Sequence, residues 1–279
     1  MVEGILRKVT YHAVYDASIL EALRYAGTKG FAGVQVAVET PHLSFEALSD
    51  GECSDIAEFR AAKGLWISLH APDTAASLFQ TSKYLSRGIF DYYEALFAFS
   101  ERIGTELITF HPGTVTAFRM DGAPGETIPR ADLSTCRQTL ERNLKRLIDL
   151  ARGRFILCVE NYEMQPLVLD VLQPCLDTGR LSLCWDLAKT FDAHMKRQED
   201  LEDYFWRNLK HVRQVHLHDV RDGLSHRVVG SGGLDFMHFL PRLAETDVAE
   251  YCIEVRPREK AAESLANLRK LIQHHAASR

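Results

Sequence analysis

Short runs rich in β-branched and apolar residues, most of them ending on a polar or charged side chain, alternate along the chain with longer stretches of helical periodicity. The strand candidates are Val9–Val14, Gly33–Glu39, Leu65–His70, Leu107–His111, Phe155–Glu160, Leu181–Asp186, Gln214–Asp219 and Tyr251–Arg256. Helical candidates fill the gaps at 18–29, 54–63, 84–103, 132–152, 166–177, 199–210, 235–245 and 259–276. Glycines at 30, 64, 104, 153 and 179 stand just past five of these helices, where a left-handed cap strains glycine least. Eight strands alternating with eight helices predict an α/β fold, a parallel sheet closed into a single (β/α)8 TIM barrel over residues 1–279. An open doubly wound sheet would carry a glycine-rich turn after an early strand. The glycine-rich segment Gly230-Ser-Gly-Gly233 comes late and does not directly follow a strand, so it reads as loop. The longest irregular piece, 112–129, follows the fourth strand and holds Gly113, Gly122, Pro124 and Gly125, which suits a lid over the mouth.

Side chains alternate across a strand, so each strand end can be read for what faces inward. One face carries Ser68 and His70, Thr109 and His111, Cys158 and Glu160, Cys184 and Asp186, Gln214 and His216, and Cys252 and Glu254. The other face is apolar, with Ile67 and Leu69, Ile108 and Phe110, Val215 and Leu217, and Ile253 and Val255. That division makes sense if the apolar face packs on helices and the polar-tipped face points into the barrel. His70, His111, Glu160, Asp186, His216 and Glu254 then form one ring at the mouth, above a layer of smaller filler side chains. The cysteines of that layer read as buried free thiols rather than ligands. All six cysteines are scattered without a CxxC pair and are expected to be free.

Three carboxylates and three imidazoles converging in one mouth would repel and desolvate one another without a compensating cation. A divalent metal resolves that conflict. Mixed oxygen and imidazole donors, with no convergent thiolates, suit Mn²⁺, Co²⁺, Fe²⁺ or Zn²⁺.

The chain has 279 residues, 46% of them hydrophobic and 25% charged, with a net charge of −5, the balance of a globular enzyme rather than of a nucleic-acid-coating surface. The basic run Arg137, Arg142, Lys145, Arg146, Arg152 and Arg154 reads as a solvated outer helix face, and Phe90, Tyr93 and Phe97 as a core stripe. No apolar run reaches the roughly 18 residues needed to span a bilayer. The stretch from Met1 to His12 lacks an apolar core followed by a small-residue cleavage site, so a cytoplasmic protein without a signal peptide is expected.

Seven motifs carry a resemblance to a known family: SLHAP (68–72), TFHPG (109–113), VENY (159–162), CWDLAK (184–189), VHLHD (215–219), HRVVGSG (226–232) and IEVRP (253–257). In order and in strand-end placement they resemble the xylose isomerase-like TIM barrels, over nearly the full chain. That superfamily includes sugar isomerases and epimerases as well as AP endonucleases of the endonuclease IV type. For the isomerases and epimerases, the resemblance implies one metal held by Glu160, Asp186, His216 and Glu254. For the endonucleases it implies one zinc at His70, His111 and Glu160 and a second at Glu160, Asp186, His216 and Glu254. A third zinc in that family uses a histidine where this chain has Lys189, and an Asp-x-His pair where it has Leu224 and His226. After the HAP motif stands Asp73, where the endonucleases carry an aromatic used on DNA.

These departures favour a metal-dependent sugar or sugar-phosphate isomerase or epimerase of carbohydrate metabolism. Its chemistry is proton transfer next to a carbonyl, with Glu160 and Glu254 as acid and base as well as ligands. Lys189, His218, His226 and Arg256 are the candidate substrate contacts, Arg256 through its planar fork. The expected cofactor is Mn²⁺, Co²⁺ or Zn²⁺, and the expected partner a small polyol, sugar or sugar phosphate. Nucleic acid is the less favoured partner, a membrane is not expected, and a homo-oligomer stays open. The alternative is an endonuclease IV-like metal-dependent phosphodiesterase acting on abasic DNA, which His70 and His111 keep in view because a one-metal isomerase does not need both.

Overall fold

The computed structural model describes residues 2–73, 75–114, 118–119, 126–127, 130–162, 164–191 and 195–277. Eight parallel strands form a closed barrel: β1 (Val9–Ala13), β2 (Gly33–Ala37), β3 (Trp66–His70), β4 (Leu107–Phe110), β5 (Ile156–Glu160), β6 (Ser182–Asp186), β7 (Val212–Leu217) and β8 (Glu250–Ile253). Each strand pairs with the next in the chain, and β8 closes on β1 with Tyr11 opposite Ile253. Between and after them run α1 (Ile19–Lys29), α2 (Asp50–Lys63), α3 (Lys83–Ile103), α4 (Arg130–Ala151), α5 (Pro166–Asp177), α6 (Glu199–Arg207), α7 (Phe236–Leu243) and α8 (Arg258–Ala277).

The helices begin where side chains can satisfy the free N–H groups of a first turn. Ser18 Oγ accepts from Glu21 N ahead of α1. Ser49 and Glu52 form a reciprocal capping box, which starts α2 at Asp50 rather than at the expected 54. The five glycines expected to end helices, at 30, 64, 104, 153 and 179, all have positive φ, between 61° and 77°.

The apolar strand faces are buried under the helices, with Leu69, Ile108, Phe110, Val215, Leu217 and Ile253 all at 0% exposure. Phe90, Tyr93 and Phe97 lie in the same core on α3. Inside the barrel Leu107, Cys158 and Cys184 pack together. Thr10, Gln35, Ser68, Thr109, Gln214 and Glu250 form a hydrogen-bonded polar layer within the barrel. Cys53, Cys158, Cys175, Cys184 and Cys252 are free thiols.

Strand boundaries differ from the pattern-based reading mainly at the mouth. The ladders of β7 and β8 end at Leu217 and Ile253, although the alternation continues to Asp219 and Arg256. Residues past the ladder keep their inward parity because the chain leaves the barrel still extended. A 3₁₀ stretch at Val2–Lys8 and an antiparallel hairpin, Asp219–Arg221 with Leu224–Arg227, were not foreshadowed by periodicity. Of the lid expected at 112–129, residues 115–117, 120–125 and 128–129 lie outside the described residues. Among the described residues, no helix is long and apolar enough to cross a membrane.

Candidate metal centre

The strands bring all six ring residues together at the mouth. One ligand atom each from Glu160, Asp186, His216 and Glu254 lies within 4.8 Å of the others, and the same holds for His70, His111 and Glu160. Glu160 joins the two groups. Its Oε2 lies 3.1 Å from His70 Nε2, 3.1 Å from His111 Nε2 and 3.3 Å from His216 Nδ1. Glu254 Oε2 is 3.5 Å from His216 Nδ1. None of the six is more than 4% exposed.

Neighbouring groups fix the orientation of these ligands, as supporting partners commonly do at metal sites. His70 Nδ1 donates to the Ala71 carbonyl at 2.8 Å, which leaves Nε2 to face the ring. Asp186 Oδ1 accepts from the backbone N of Ala188 and Lys189, while Oδ2 accepts from His218 Nε2 at 3.0 Å. Asn161 holds the two strand ends together: its Nδ2 donates to Asp186 O, and its Oδ1 accepts from Asp186 N at 2.6 Å.

The fit of a cation can be tested on the ring itself. Both ring nitrogens of His111, both of His216, and Glu254 Oε2 are buried with no hydrogen-bond partner. Close approaches such as His111 Nε2 to Glu160 Oε2 therefore lack the alignment of a hydrogen bond. Buried polar atoms are seldom left so, and several converging at one point are the pattern expected of a ligand set. Carboxylate oxygens with imidazole nitrogens suit Mn²⁺, Co²⁺ or Zn²⁺. Cys184 also reaches within 4.8 Å of Glu160 and His216, and burial pushes its thiol up to about 12.

The electrostatics favour charged carboxylates. Burial opposes ionisation of Glu160, but Lys189, His216 and His111 outweigh it and hold the carboxyl well below the usual range. For Asp186 the burial penalty is overcome by His218 and Lys189, which bring it to about 2. For Glu254, contacts from His12, His216 and His226 outweigh burial and hold the carboxyl well below the usual range.

The four candidate substrate contacts are placed differently from one another. Lys189 lies in the mouth, its ammonium bonded to Glu160 Oε1, 3.2 Å from Asp186 Oδ2 and 5.3 Å from the Tyr162 ring centre. Arg256 Nη2 donates to Glu254 Oε1 at 3.1 Å. His226 stacks on His218 at 4.4 Å, with Nε2 3.5 Å from Glu254 Oε2. His218 differs from the expectation: it is wholly buried, its Nδ1 accepts from His226 N at 3.0 Å, and its Nε2 serves Asp186. This geometry makes it a support for Asp186 rather than a group free to meet substrate. The basic run on α4 and just past its end is turned outward, with Arg137 paired to Asp170 and Arg154 to Glu101.

Three residues at the centre had not been singled out. His12, on the inward parity of Thr10 in β1, has Nδ1 3.4 Å from Glu254 Oε1, and burial lowers its pKa to about 4. Tyr162 stacks on His111 at 4.7 Å and 8°. Asp219 accepts backbone N–H bonds from Val220, Gly230, Gly232 and Leu234, and so ties the late glycine loop to the end of β7. A strand-end parity count at β1 would have found His12. Asp219 and Tyr162 lie past the ladders, where no period points to them.

The profile of the xylose isomerase-like TIM barrels matches residues 23–271. The chain belongs to that family. Solved structures of similar fold include a D-tagatose 3-epimerase-like protein, 15% identical over 97% of this chain and 99% of the other, with a TM-score of 0.77. A 3-keto-D-glucoside 4-epimerase from E. coli is 18% identical over 94% and 99%, with a TM-score of 0.70. Endonuclease IV from Thermus thermophilus is 19% identical over 96% and 99%, with a TM-score of 0.68. At these identities the likeness shows the barrel alone, which both chemistries share. No curated protein matches the chain by sequence.

Proposed function

We propose that this xylose isomerase-like barrel is a metal-dependent sugar or sugar-phosphate isomerase or epimerase. The observation that carries the reading is the joint presence of Glu160 and Glu254 in one ligand group with Asp186 and His216, on strands β5 and β8. Glu160, Asp186, His216 and Glu254 would hold the ion, which would supply Lewis-acid polarisation of a substrate carbonyl. Glu160 and Glu254 then flank the substrate carbon. One removes the proton next to the carbonyl, and the other returns it to the neighbouring carbon or the opposite face. Lys189 and Arg256, both partly exposed in the mouth, contact substrate oxygens, while His226 sits beside Glu254 and orders its Oε2 face. The substrate is a small polyol, sugar or sugar phosphate handled in carbohydrate metabolism, and the place of action is the cytoplasm.

The test is isotope exchange. Metal-loaded protein incubated with ketoses and ketose phosphates in deuterium oxide should place deuterium next to the carbonyl of at least one of them. Glu160→Gln and Glu254→Gln should each slow that exchange by at least about a hundredfold, the ordinary worth of a general acid or base. Exchange that survives both changes would remove the two-glutamate mechanism.

A second reading is kept by one observation. His70, His111 and Glu160 form a complete ligand group of their own, so a second ion can be held beside the first. Two ions on one bridging carboxylate suit phosphodiester hydrolysis. Bound-metal analysis of protein purified without added metal separates the two: one Mn²⁺ or Co²⁺ per chain favours proton transfer, and two Zn²⁺ favour hydrolysis.

A further inference from the structure

Below the ring lies an ionisable group with no part in the chemistry above. Glu250, the first residue of β8, is wholly buried inside the barrel. Its Oε1 accepts from Thr10 Oγ1 at 2.5 Å and from Ser68 Oγ at 2.9 Å, and its Oε2 accepts from Gln214 Nε2 at 2.8 Å. Gln214 Oε1 accepts from the Thr109 hydroxyl, which itself accepts from Gln35 Nε2 at 3.0 Å. The hydrogen bonds of this layer therefore all run toward Glu250, as an ionised carboxylate requires.

Its partners are neutral, which makes the placement costly. Burial raises its pKa, and the bonds from Thr10, Ser68 and Gln214 offset only part of that rise. Barrel interiors are commonly filled by Val, Ile and Leu at such positions. A buried carboxylate without a cation against it would be expected only where its charge meets a need elsewhere. The strand register shows where. Glu250 is opposite Gln214 and Cys252 opposite His216, so Glu250 stands one inward-facing layer, about 7 Å of strand, below His216.

We propose that Glu250 is a positioning residue for the metal centre. Held in place by Thr10, Ser68 and Gln214, its fixed negative charge strengthens the ring's grip on a divalent cation without touching it. The inference rests on the ring binding metal, as proposed above. In the interior, with an effective dielectric near 20, a single charge one layer away from a doubly charged ion still exerts a substantial attraction.

The experiment measures Co²⁺ affinity of chelator-stripped full-length protein, in competition with a chromophoric chelator. Glu250→Gln should weaken Co²⁺ binding by about tenfold or more, while the visible spectrum of the bound ion stays unchanged because its ligands are untouched. Thr10→Val removes a donor but keeps the charge, and should alter affinity by less than about threefold. Equal affinity of Glu250→Gln and wild type, an equal loss in Thr10→Val, or an altered cobalt spectrum in Glu250→Gln overturns the proposal. If Glu250→Gln does not fold, the carboxyl ¹³C shift of Glu250 in the wild type decides: a protonated group at neutral pH overturns it, and an ionised one supports it. A wild type that binds no Co²⁺ removes the metal centre and this role with it, an outcome distinct from a metal-binding protein indifferent to Glu250.

Discussion

Lys189 and Glu160 share an ion pair inside the mouth: the ammonium bonds Oε1 of the carboxylate whose Oε2 faces His70, His111 and His216. Glu160 thus divides its two oxygens between a built-in cation and the candidate metal position. Burial disfavours the charge on Lys189, but Glu160, Asp186 and Glu254 outweigh it and raise its pKa well above the ordinary value. A compact ammonium in this place offsets carboxylate repulsion whether or not an ion is bound.

Removing that ammonium should therefore separate metal binding from turnover. Lys189→Met is expected to tighten divalent binding by about tenfold, because a competing positive charge beside the ion has gone. It should also lower kcat/KM on the substrate found, through the lost contact to substrate oxygens. Chelator competition and steady-state kinetics on one preparation check both. Unchanged metal affinity and unchanged turnover together would return Lys189 to the status of a bystander.

How far the site was legible in the sequence follows from what period-two alternation can carry. It placed His70, His111, Glu160, Asp186, His216 and Glu254 on one face of six strands, because each lies at or just past the end of a regular ladder. The same parity extended past β7 brings His218 inward, but cannot show that both its nitrogens are already engaged. Asp219 escaped because its function depends on backbone N–H groups 11 to 15 residues further on, in a loop without period. Glu250 escaped because the strand was read from Tyr251, one residue too late to expose a carboxylate two layers beneath Glu254.

Asp219 gives a prediction about the loop. Both of its oxygens accept backbone N–H bonds, Oδ1 from Val220 and Leu234, Oδ2 from Gly230 and Gly232 at 3.0 and 2.8 Å. Asp219→Asn turns an N–H₂ toward two of those donors and should cost roughly 3 kcal/mol in urea unfolding, with faster hydrogen exchange at Gly230 and Gly232. Gly232→Ala should disturb the same contact, since an added Cβ would lie 2.2 Å from Val220 O and 2.4 Å from Asp219 Oδ1. Wild-type exchange rates at these amides in both variants would show that the carboxylate does not hold the loop.

Incision of abasic DNA should be weak or absent. Lys189 occupies the edge of the cluster with a cation that cannot ligate while protonated, and Leu224 is exposed on the hairpin. Asp73 brings a negative charge 3.3 Å from His111 Nδ1, which disfavours a phosphate beside that group. Nicking of an abasic duplex at rates comparable to the endonucleases, abolished by Glu254→Gln, would reverse the choice between the two readings.

The last prediction concerns pH and lies away from the centre. Glu202 on α6 is 1% exposed and accepts from Arg197, from His238 Nε2 at 2.9 Å and from Trp206 Nε1 at 2.7 Å. Burial opposes its charge, but Arg197, His238 and Trp206 prevail and lower it from 4.5 to about 2. A carboxylate depressed in the folded state contributes stability that is complete above its unfolded value, near 4.5. That contribution is lost as the pH falls toward about 2. Arg197 is half-exposed, so solvent screens part of the attraction and the contribution is about 2 kcal/mol rather than the full shift. Wild type should therefore lose stability more steeply than Glu202→Gln between about pH 4.5 and about pH 2, measured as urea midpoints at each pH. Above about pH 5 the two slopes should run parallel, with the variant lower. If both lose stability equally across the acid range, Glu202 is not the group that titrates there.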